Sequence, residues 1–315
     1  MDVVIFILAM GSLIFGADFI ITQSERIALR FNISEFIIGA TLIALGTSLP
    51  EMATSIAANL EGKPEIAVAN AVGSNILNIT LVLAVTLIIT RCFVSKRDFF
   101  AKDSIWVLMP ILIFLLMSID GVISRFDAIL LIILMIAYLI YLIQDSNRLD
   151  TDYLKEDRKK PFSWIKSITL LVIGFILVVL GAHFAVDSAS SIAKSFGISQ
   201  WVIGVILVSF GTSLPELVVS VSAVLKGKTE MAIGNIIGSN LANITMVIGV
   251  SALVKDLPID VHRYIFDLSI MTASTIIFIY IMANKLYSRP AGISLLILLA
   301  LFIENALNGL TPTSS

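Results

Sequence analysis

The sequence has few charged residues and almost no cysteine. Only 14% of its 315 residues are Asp, Glu, Lys or Arg, whereas a soluble domain usually carries about a quarter. This shortage excludes an ordinary soluble fold. The single cysteine, Cys92, excludes an intramolecular disulfide and argues against thiol redox chemistry. The net charge of −2 resides in loops and gives no basic surface for nucleic acid.

Residues for enzyme chemistry are scarce as well. The two histidines, His183 and His262, fall at the ends of predicted helices and not beside Ser48 or Ser213, so they cannot supply the base that a serine nucleophile needs. The sequence contains no His-Glu-x-x-His pattern, which excludes that type of zinc metalloprotease. We therefore predict a protein that is not an enzyme and has no cofactor.

Apolar residues are abundant and gather in long runs. They make up 58% of the chain, and a membrane-spanning helix needs roughly 20 of them in succession. We predict an all-α polytopic membrane protein with ten transmembrane helices. The first begins near Val3 with no basic residues before it, which predicts a retained helix and not a cleaved signal peptide. The predicted helices cover residues 2–23, 34–60, 66–90, 104–119, 126–143, 164–186, 199–225, 230–254, 264–283 and 291–308.

The chain divides into two halves that repeat each other. Residues 1–143 and 164–315 each hold five predicted helices, and the charged loop 144–163 between them is a linker too short to fold alone. Each half contains Gly-Thr-Ser-Leu-Pro-Glu and, further on, Gly-Ser-Asn-x-x-Asn-Ile-Thr, with the second copies 165 residues after the first. Because five is odd, equivalent helices cross the membrane in opposite directions. This predicts an inverted repeat, with broken helices and a site at the midplane between the halves.

Lys and Arg are concentrated in alternate connections, beginning with Arg26 and Arg30 and including the 144–163 loop. Cytoplasmic loops carry the excess of these residues. We therefore predict a multi-pass protein of the cell membrane with the central loop in the cytoplasm and both termini outside.

The hexapeptide at residues 46–51 breaks the usual rules for a membrane helix. Pro50 has no N–H and clashes with the carbonyl of Gly46, so the helix must kink there. A kink frees carbonyls at membrane depth, which is tolerated only where they line a cavity. Thr47 and Ser48 add hydroxyl oxygens, and Glu51 adds a charge that is costly in a bilayer and usually functional. The second copy supplies the same groups from Thr212, Ser213 and Glu216.

Two such motifs together form a plausible site for a hard cation. Ca²⁺ takes about six to eight oxygens, more than one motif offers, and two carboxylates match the charge of one divalent ion. The absence of nearby Cys or paired His disfavours Zn²⁺ and Cu⁺. Helices three and eight add neutral oxygens at helical spacing, which suit exchangeable ions such as Na⁺. These residues are Asn70, Ser74, Asn78, Asn235, Ser239 and Asn243.

Other ionisable residues in the apolar segments have simpler interpretations. Glu304 and Asp267 lie near predicted helix ends, where such side chains usually reach towards the interface. Asp18 and His183 occupy matching places near the ends of helices one and six, and we interpret them as structural.

The duplicated motifs resemble those of the sodium/calcium exchanger family of the cation/Ca²⁺ antiporter superfamily, most of all its prokaryotic members. The resemblance covers essentially the whole chain. It implies that helices two, three, seven and eight surround a cluster of cation sites, and that helices one and six form a mobile gating pair sliding over a rigid core. The implied ligands are Glu51 and Glu216 with the backbone oxygens of Thr47 and Thr212 for Ca²⁺; Ser48, Ser74, Ser213 and Ser239 with the carbonyls of Ala44 and Ser209 for flanking Na⁺; and Asn78 and Asn243 for the middle site.

The chain departs from the family pattern at one position in the site. Some members carry Asp where this chain has Asn243, so the predicted pocket holds two carboxylates and not three. The short central loop also lacks the large Ca²⁺-sensing domain of the animal exchangers, and regulation by that route is not expected.

The function predicted from the sequence is secondary antiport, in which Na⁺ entry drives Ca²⁺ exit by alternating access. Ca²⁺ and a full set of Na⁺ would compete for the same two carboxylates, and this competition couples their movements. Proton coupling is an alternative, since one of two neighbouring buried carboxyls readily holds a proton. A passive channel and an intramembrane enzyme are remote alternatives. The expected partners are the transported ions and the lipid bilayer, and the sequence indicates no protein partner.

Overall fold

The structure, a computed structural model, describes residues 2–90, 97–146, 162–195 and 209–308. Nearly all of these residues are helical, and one short antiparallel pair joins β1 (Val122–Ile123) to β2 (Leu257–Pro258). In chain order the helices are α1 (Asp2–Phe31), α2 (Glu35–Thr47), α3 (Leu49–Leu60), α4 (Pro64–Ile89), α5 (Phe99–Lys102), α6 (Ser104–Met117), α7 (Arg125–Ser146), α8 (Trp164–Ser195), α9 (Ser209–Thr212), α10 (Leu214–Leu225), α11 (Thr229–Val254), α12 (Val261–Ala283) and α13 (Arg289–Asn308).

Within the described residues, seven helices are long and apolar enough to cross a membrane, and eight if the bent pair α2–α3 is one span. Two further apolar stretches, Ser104–Asp120 and Leu214–Leu225, are shorter. The predicted segment 199–225 is described only from Ser209 onwards, and Cys92 and most of the 144–163 loop lie outside the described residues. The prediction of an all-α membrane protein is confirmed, whereas the count of ten spans stays a prediction.

Two helices are longer than their apolar runs predict. α1 continues to Phe31 and α8 to Ser195, beyond the predicted ends at residues 23 and 186. The extension of α1 carries polar side chains into the protein interior, where Gln23 and Ser24 are buried. Asp18 therefore lies well inside a helix and not near its end, and this part of the sequence interpretation was wrong.

α1 and α8 pack against each other in opposite directions. A Cβ added to Gly16 would stand 2.8 Å from the carbonyl oxygen of Gly174, so only glycine allows this approach. The hydroxyl of Ser12 donates to the carbonyl of Leu177 at 2.8 Å, and these residues are 165 positions apart. These two residues hold equivalent positions in the two sequence repeats and contact each other.

α4 and α11 occupy the centre of the bundle. Their most apolar stretches are 78% and 83% buried, against 17% for α13, so the outer helices carry the lipid-facing surface. Each central helix contains one π-helical stretch, Asn78–Leu83 in α4 and Asn243–Ile248 in α11. α2 crosses α11 so closely that a Cβ on Gly238 would lie 2.4 Å from the carbonyl oxygen of Ala40.

A buried charged cluster fastens α2 and α7 together. The Arg97 guanidinium bonds to Asp103 at 2.8 Å and Asp145 at 2.6 Å, and it stacks 4.1 Å above the ring of Phe36. Lys102 also bonds to Asp145, at 2.7 Å. These pairs neutralise charges that would be costly to bury alone.

Candidate cation site

Both predicted helix breaks are present. α2 and α3 meet at Ser48, and their axes differ by 41°. Ser48 (φ −85°, ψ 5°) and Ser213 (φ −88°, ψ 0°) have nearly the same backbone angles, which lie outside the helical range. Because Pro50 cannot donate to the carbonyl of Gly46, the break leaves main-chain oxygen available inside the apolar bundle, and the same holds in the second copy.

The two carboxylates are fully buried and lie close enough to interact electrostatically. Glu51 is 0% exposed and Glu216 is 1% exposed, and each lies in the first turn of a helix, α3 or α10, where the dipole favours negative charge. Ser48 donates to Glu216 at 3.3 Å. Within the described residues, both carboxylate oxygens of Glu51 and one of Glu216 have no hydrogen-bond partner. Such oxygens are costly to bury, and a cation would satisfy them.

Two matching bridges connect the halves beside the carboxylates. Thr47 donates to the amide oxygen of Asn235 at 3.3 Å, and Thr212 donates to that of Asn70 at 3.2 Å. The amide nitrogens donate in turn to Ser220 at 3.0 Å and to Ser55 at 2.9 Å. We expected Asn70 and Asn235 to offer oxygens to a cation. In the structure each of these oxygens accepts a hydrogen bond from the threonine of the other repeat, and their role as cation ligands stays a prediction.

We predict that Asn235→Ala weakens Ca²⁺ binding through this bridge. Loss of the amide leaves the hydroxyl of Thr47 without its cross-repeat acceptor, and groups that orient a metal ligand typically contribute about 10–100-fold to affinity. The Ca²⁺ concentration for half-maximal exchange should rise at least about tenfold. Asn70→Ala should behave alike, while Asn284→Ala, which removes an exposed helix-end bond, should leave the value unchanged. An unchanged value in both bridge variants would contradict this role.

The remaining predicted side chains gather around the same point. Ser213 donates to Ser74 at 3.3 Å, and the hydroxyls of Thr47 and Ser239 lie 3.5 Å apart. Asn78 is 1% exposed, and neither atom of its amide group has a hydrogen-bond partner in the described residues. The structure thus brings side chains from α2, α4 and α11 to the two breaks.

Asn243 forms a hydrogen bond with the neighbouring asparagine Asn75. Its amide nitrogen donates to the oxygen of Asn75 at 3.1 Å, and Asn75 donates towards the sulphur of Met271 at 3.9 Å. Its own oxygen has no partner in the described residues. Asn243 can therefore bond Asn75 and still present a neutral oxygen to the pocket. Asn75 was part of a recognised motif, but the sequence did not indicate this role.

The two predicted carbonyl ligands hold matching backbone positions. The Ala44 carbonyl accepts from Ser48 N at 3.0 Å and from Thr47 Oγ1 at 3.3 Å. Ser209 begins α9, 165 residues after Ala44. Within the described residues no cluster of three or more His, Cys, Asp or Glu could hold a metal. Any cation here would therefore depend on two carboxylates and neutral oxygens, the ligand type of Ca²⁺ and Na⁺.

Comparison with known proteins agrees with this arrangement. A family model described as sodium/calcium exchanger protein matches residues 1–144 and 166–307. The chain belongs to the sodium/calcium exchanger family. A membrane protein of Methanocaldococcus jannaschii described as uncharacterized is 42% identical over 80% of this chain and 82% of its own length. Sodium/calcium exchanger MaX1 of Methanosarcina acetivorans is 30% identical over 95% of this chain and 96% of its own.

A solved structure has the same fold. The sodium-calcium exchanger NCX_Mj, soaked with zero Na⁺ and Ca²⁺, superposes with a TM-score of 0.82 at 37% identity, covering 96% of this chain and 98% of that one. The predicted family is confirmed. The chain is thus a membrane transporter of a cation/Ca²⁺ exchange family and not an enzyme.

Proposed function

We propose that this family member exchanges Na⁺ for Ca²⁺ at one site formed by Glu51 and Glu216. The observation that carries the proposal is the pair of fully buried carboxylates, three of whose four oxygens have no partner within the described residues. Their combined charge matches one divalent ion. The backbone oxygens of Thr47 and Thr212, next to the helix breaks, add to the roughly six to eight oxygens that Ca²⁺ takes.

The proposed Na⁺ sites flank the carboxylates and use neutral oxygens. Na⁺ is a monovalent ion, so carboxylates shared with hydroxyl, amide and carbonyl groups suffice to bind it. Since Na⁺ and Ca²⁺ would use the same two carboxylates, occupancy by one excludes the other. The residues proposed for Na⁺ are Ser48, Ser74, Ser213, Ser239, Asn78 and Asn243, with the carbonyls of Ala44 and Ser209.

H⁺ is the second candidate for the coupling ion. The close approach of two buried carboxyl groups favours a proton on one of them when no cation is bound. A proton could then replace Na⁺ as the ion exchanged for Ca²⁺.

The proposed architecture is a ten-helix inverted repeat, with residues 1–143 and 164–315 as the two halves and 144–163 as the linker. The matching Thr–Asn bridges and the contact between Ser12 and Leu177, 165 residues apart, support it. We place the protein in the cell membrane, with a cytoplasmic linker and external termini, because Lys and Arg prevail in alternate loops.

Uptake of ⁴⁵Ca²⁺ into proteoliposomes tests the proposal. An outward Na⁺ gradient, with equal pH on both sides, should drive uptake well above the rate without a gradient, and a pH gradient alone should not. Uptake driven only by the pH gradient would favour H⁺ coupling and contradict the Na⁺ assignment. Gly11→Ala adds a methyl group to α1 with nothing within 4 Å of the new Cβ. It is the control variant, and its ⁴⁵Ca²⁺ uptake should equal that of the wild type.

A further inference from the structure

Lys226 fastens α1 to the turn between α10 and α11. Its ammonium group forms an ion pair with Asp18 on α1 and donates to the hydroxyl of Thr22, one turn further, at 3.2 Å. α1 also packs along α10 on this side of the bundle. The contact therefore ties α1 to the C-terminal end of α10.

The counterparts of Asp18 and Lys226 are again one acidic and one basic residue type, in exchanged positions. The position 165 residues after Asp18 is His183, and the position 165 residues before Lys226 is Glu61. In this structure each pairs with a near neighbour instead: His183 lies 3.3 Å from Asp187 on its own helix, and Glu61 bonds to Lys63 at 2.8 Å. Asp18 and Lys226 thus contact each other across the two halves, whereas their counterparts His183 and Glu61 each pair with a near neighbour.

An open cavity lies beside His183. Its volume is about 440 Å³, and it lies between α8 and the two helix breaks. His183 and Asp187 are both largely exposed, at 65% and 62%. The residues that line the cavity include Pro50, Thr54, His183, Asp187, Thr212 and Pro215. The two equivalent contacts between the halves therefore differ: an ion pair closes one of them, and the other is open.

We propose that Glu61 and His183 form a latch that closes this cavity in the opposite state of the transport cycle. In an inverted repeat, exchange of the conformations of the two halves produces the opposite-facing state. That exchange brings Glu61 to His183 as Lys226 now meets Asp18, and it separates Asp18 from Lys226. The inference rests on the proposed function as an alternating-access exchanger. All four are positioning residues, because they control access and do not bind the transported ion.

Other charged residues lie beside the two members of the latch. Asp187 follows His183 by one helical turn, and Lys63 lies next to Glu61 on the α3–α4 turn. Closing the latch therefore exchanges the pairs His183–Asp187 and Glu61–Lys63 for the pair Glu61–His183.

Two further ion pairs reinforce the contact between Asp18 and Lys226. Lys228 also pairs with Glu25 on α1 and, at 2.8 Å, with Glu35 on α2. The counterparts of these two acids are Ser190 and Gln200, which carry no charge. The cavity-open state should therefore be the more populated one in the absence of ions.

Disulfide trapping tests the latch directly. In a Cys92→Ser parent, we compare Asp18→Cys/Lys226→Cys with Glu61→Cys/His183→Cys in proteoliposomes with Ca²⁺ on both sides. A mild oxidant should remove the free thiols of the first pair sooner than those of the second pair, which meet only when the minor state is visited. A disulfide needs the Cβ atoms within about 3.5–4.5 Å, closer than a lysine–aspartate ion pair holds them, so in both pairs the bond forms as the helices fluctuate. Each bond should stop ⁴⁵Ca²⁺ exchange, and a reductant should restore it.

The matched control is Glu65→Cys/His183→Cys, which uses another exposed acid close to the same turn and should keep both thiols. The latch is overturned if the Glu61→Cys/His183→Cys thiols persist while the parent exchanges Ca²⁺, or if their disulfide leaves exchange intact. The loss of free thiols shows that the two residues have met, whichever ion the protein transports. If the Glu61→Cys/His183→Cys pair is trapped but the parent shows no ⁴⁵Ca²⁺ exchange, the result would therefore count against the proposed ions and not against the latch.

Discussion

Glu51→Gln and Glu216→Gln should each lower Ca²⁺ exchange by at least about 100-fold. Residues that merely orient a metal ligand contribute about 10–100-fold to affinity, so the loss of a charged ligand should cost at least as much. The amide keeps the size of the side chain and removes its charge. The one remaining carboxylate would then offer a single negative charge to an ion that carries two positive charges. Initial rates of ⁴⁵Ca²⁺ exchange in proteoliposomes measure the effect.

Glu65→Gln is the control for both variants. Like Glu51, Glu65 follows a proline in the first turn of a helix, but its side chain is exposed. The control should exchange Ca²⁺ at the wild-type rate. If either site variant keeps more than about a tenth of the wild-type rate, the site does not require both carboxylates and the two-half assignment is wrong.

Gly238→Ala should be among the most destabilising single-methyl changes in the chain. The added Cβ would lie 2.4 Å from the carbonyl oxygen of Ala40 and 2.6 Å from the Cβ of Ala44. A backbone oxygen cannot move aside as a flexible side chain can, so α11 and α2 must separate. Overpacking typically costs about 1–3 kcal/mol, which for a chain of this length corresponds to a fall in the unfolding midpoint of roughly 1.5–4.5 °C. Thermal unfolding of the purified protein in detergent measures it.

The same change should also impair exchange, because Ala44 lies at the first helix break. Gly11→Ala is the comparison: it adds the same methyl group inside α1, with nothing within 4 Å. Replacing a helical glycine by alanine usually stabilises by about 1 kcal/mol, so its midpoint should equal or exceed that of the wild type. Equal midpoints for the two variants would contradict the close crossing of α2 and α11.

The helix breaks could be predicted from the sequence because their cause is local. Pro50 removes a backbone donor whatever surrounds it, and the break at Ser48 follows. The repeat was equally visible, since it needs only a constant offset. The family followed from the duplicated motifs, and the matched family model and the solved structure of NCX_Mj confirm it.

The side-chain partners could not be predicted, because they depend on packing between distant segments. The spacing of Asn70, Ser74 and Asn78 predicts a shared helix face, but not that Asn70 would bond Thr212 while Asn78 has no partner in the described residues. The π-helical turns that begin at Asn78 and Asn243 leave no pattern in apolar periodicity. Asp18 was interpreted as a helix-end residue because the apolar run ends soon after it. The helix continues with polar side chains that are buried, and their burial depends on tertiary contacts that the sequence does not show.

The number of Ca²⁺ ions bound per chain tests the central claim most directly. Equilibrium dialysis of the purified protein with ⁴⁵Ca²⁺ in Na⁺-free buffer should give one ion for the wild type, because the two halves form one site. Glu51→Gln and Glu216→Gln should each give none under the same conditions, and Glu65→Gln should give one. Two ions for the wild type, with one retained in each single variant, would mean two independent half-sites and would contradict the shared pocket.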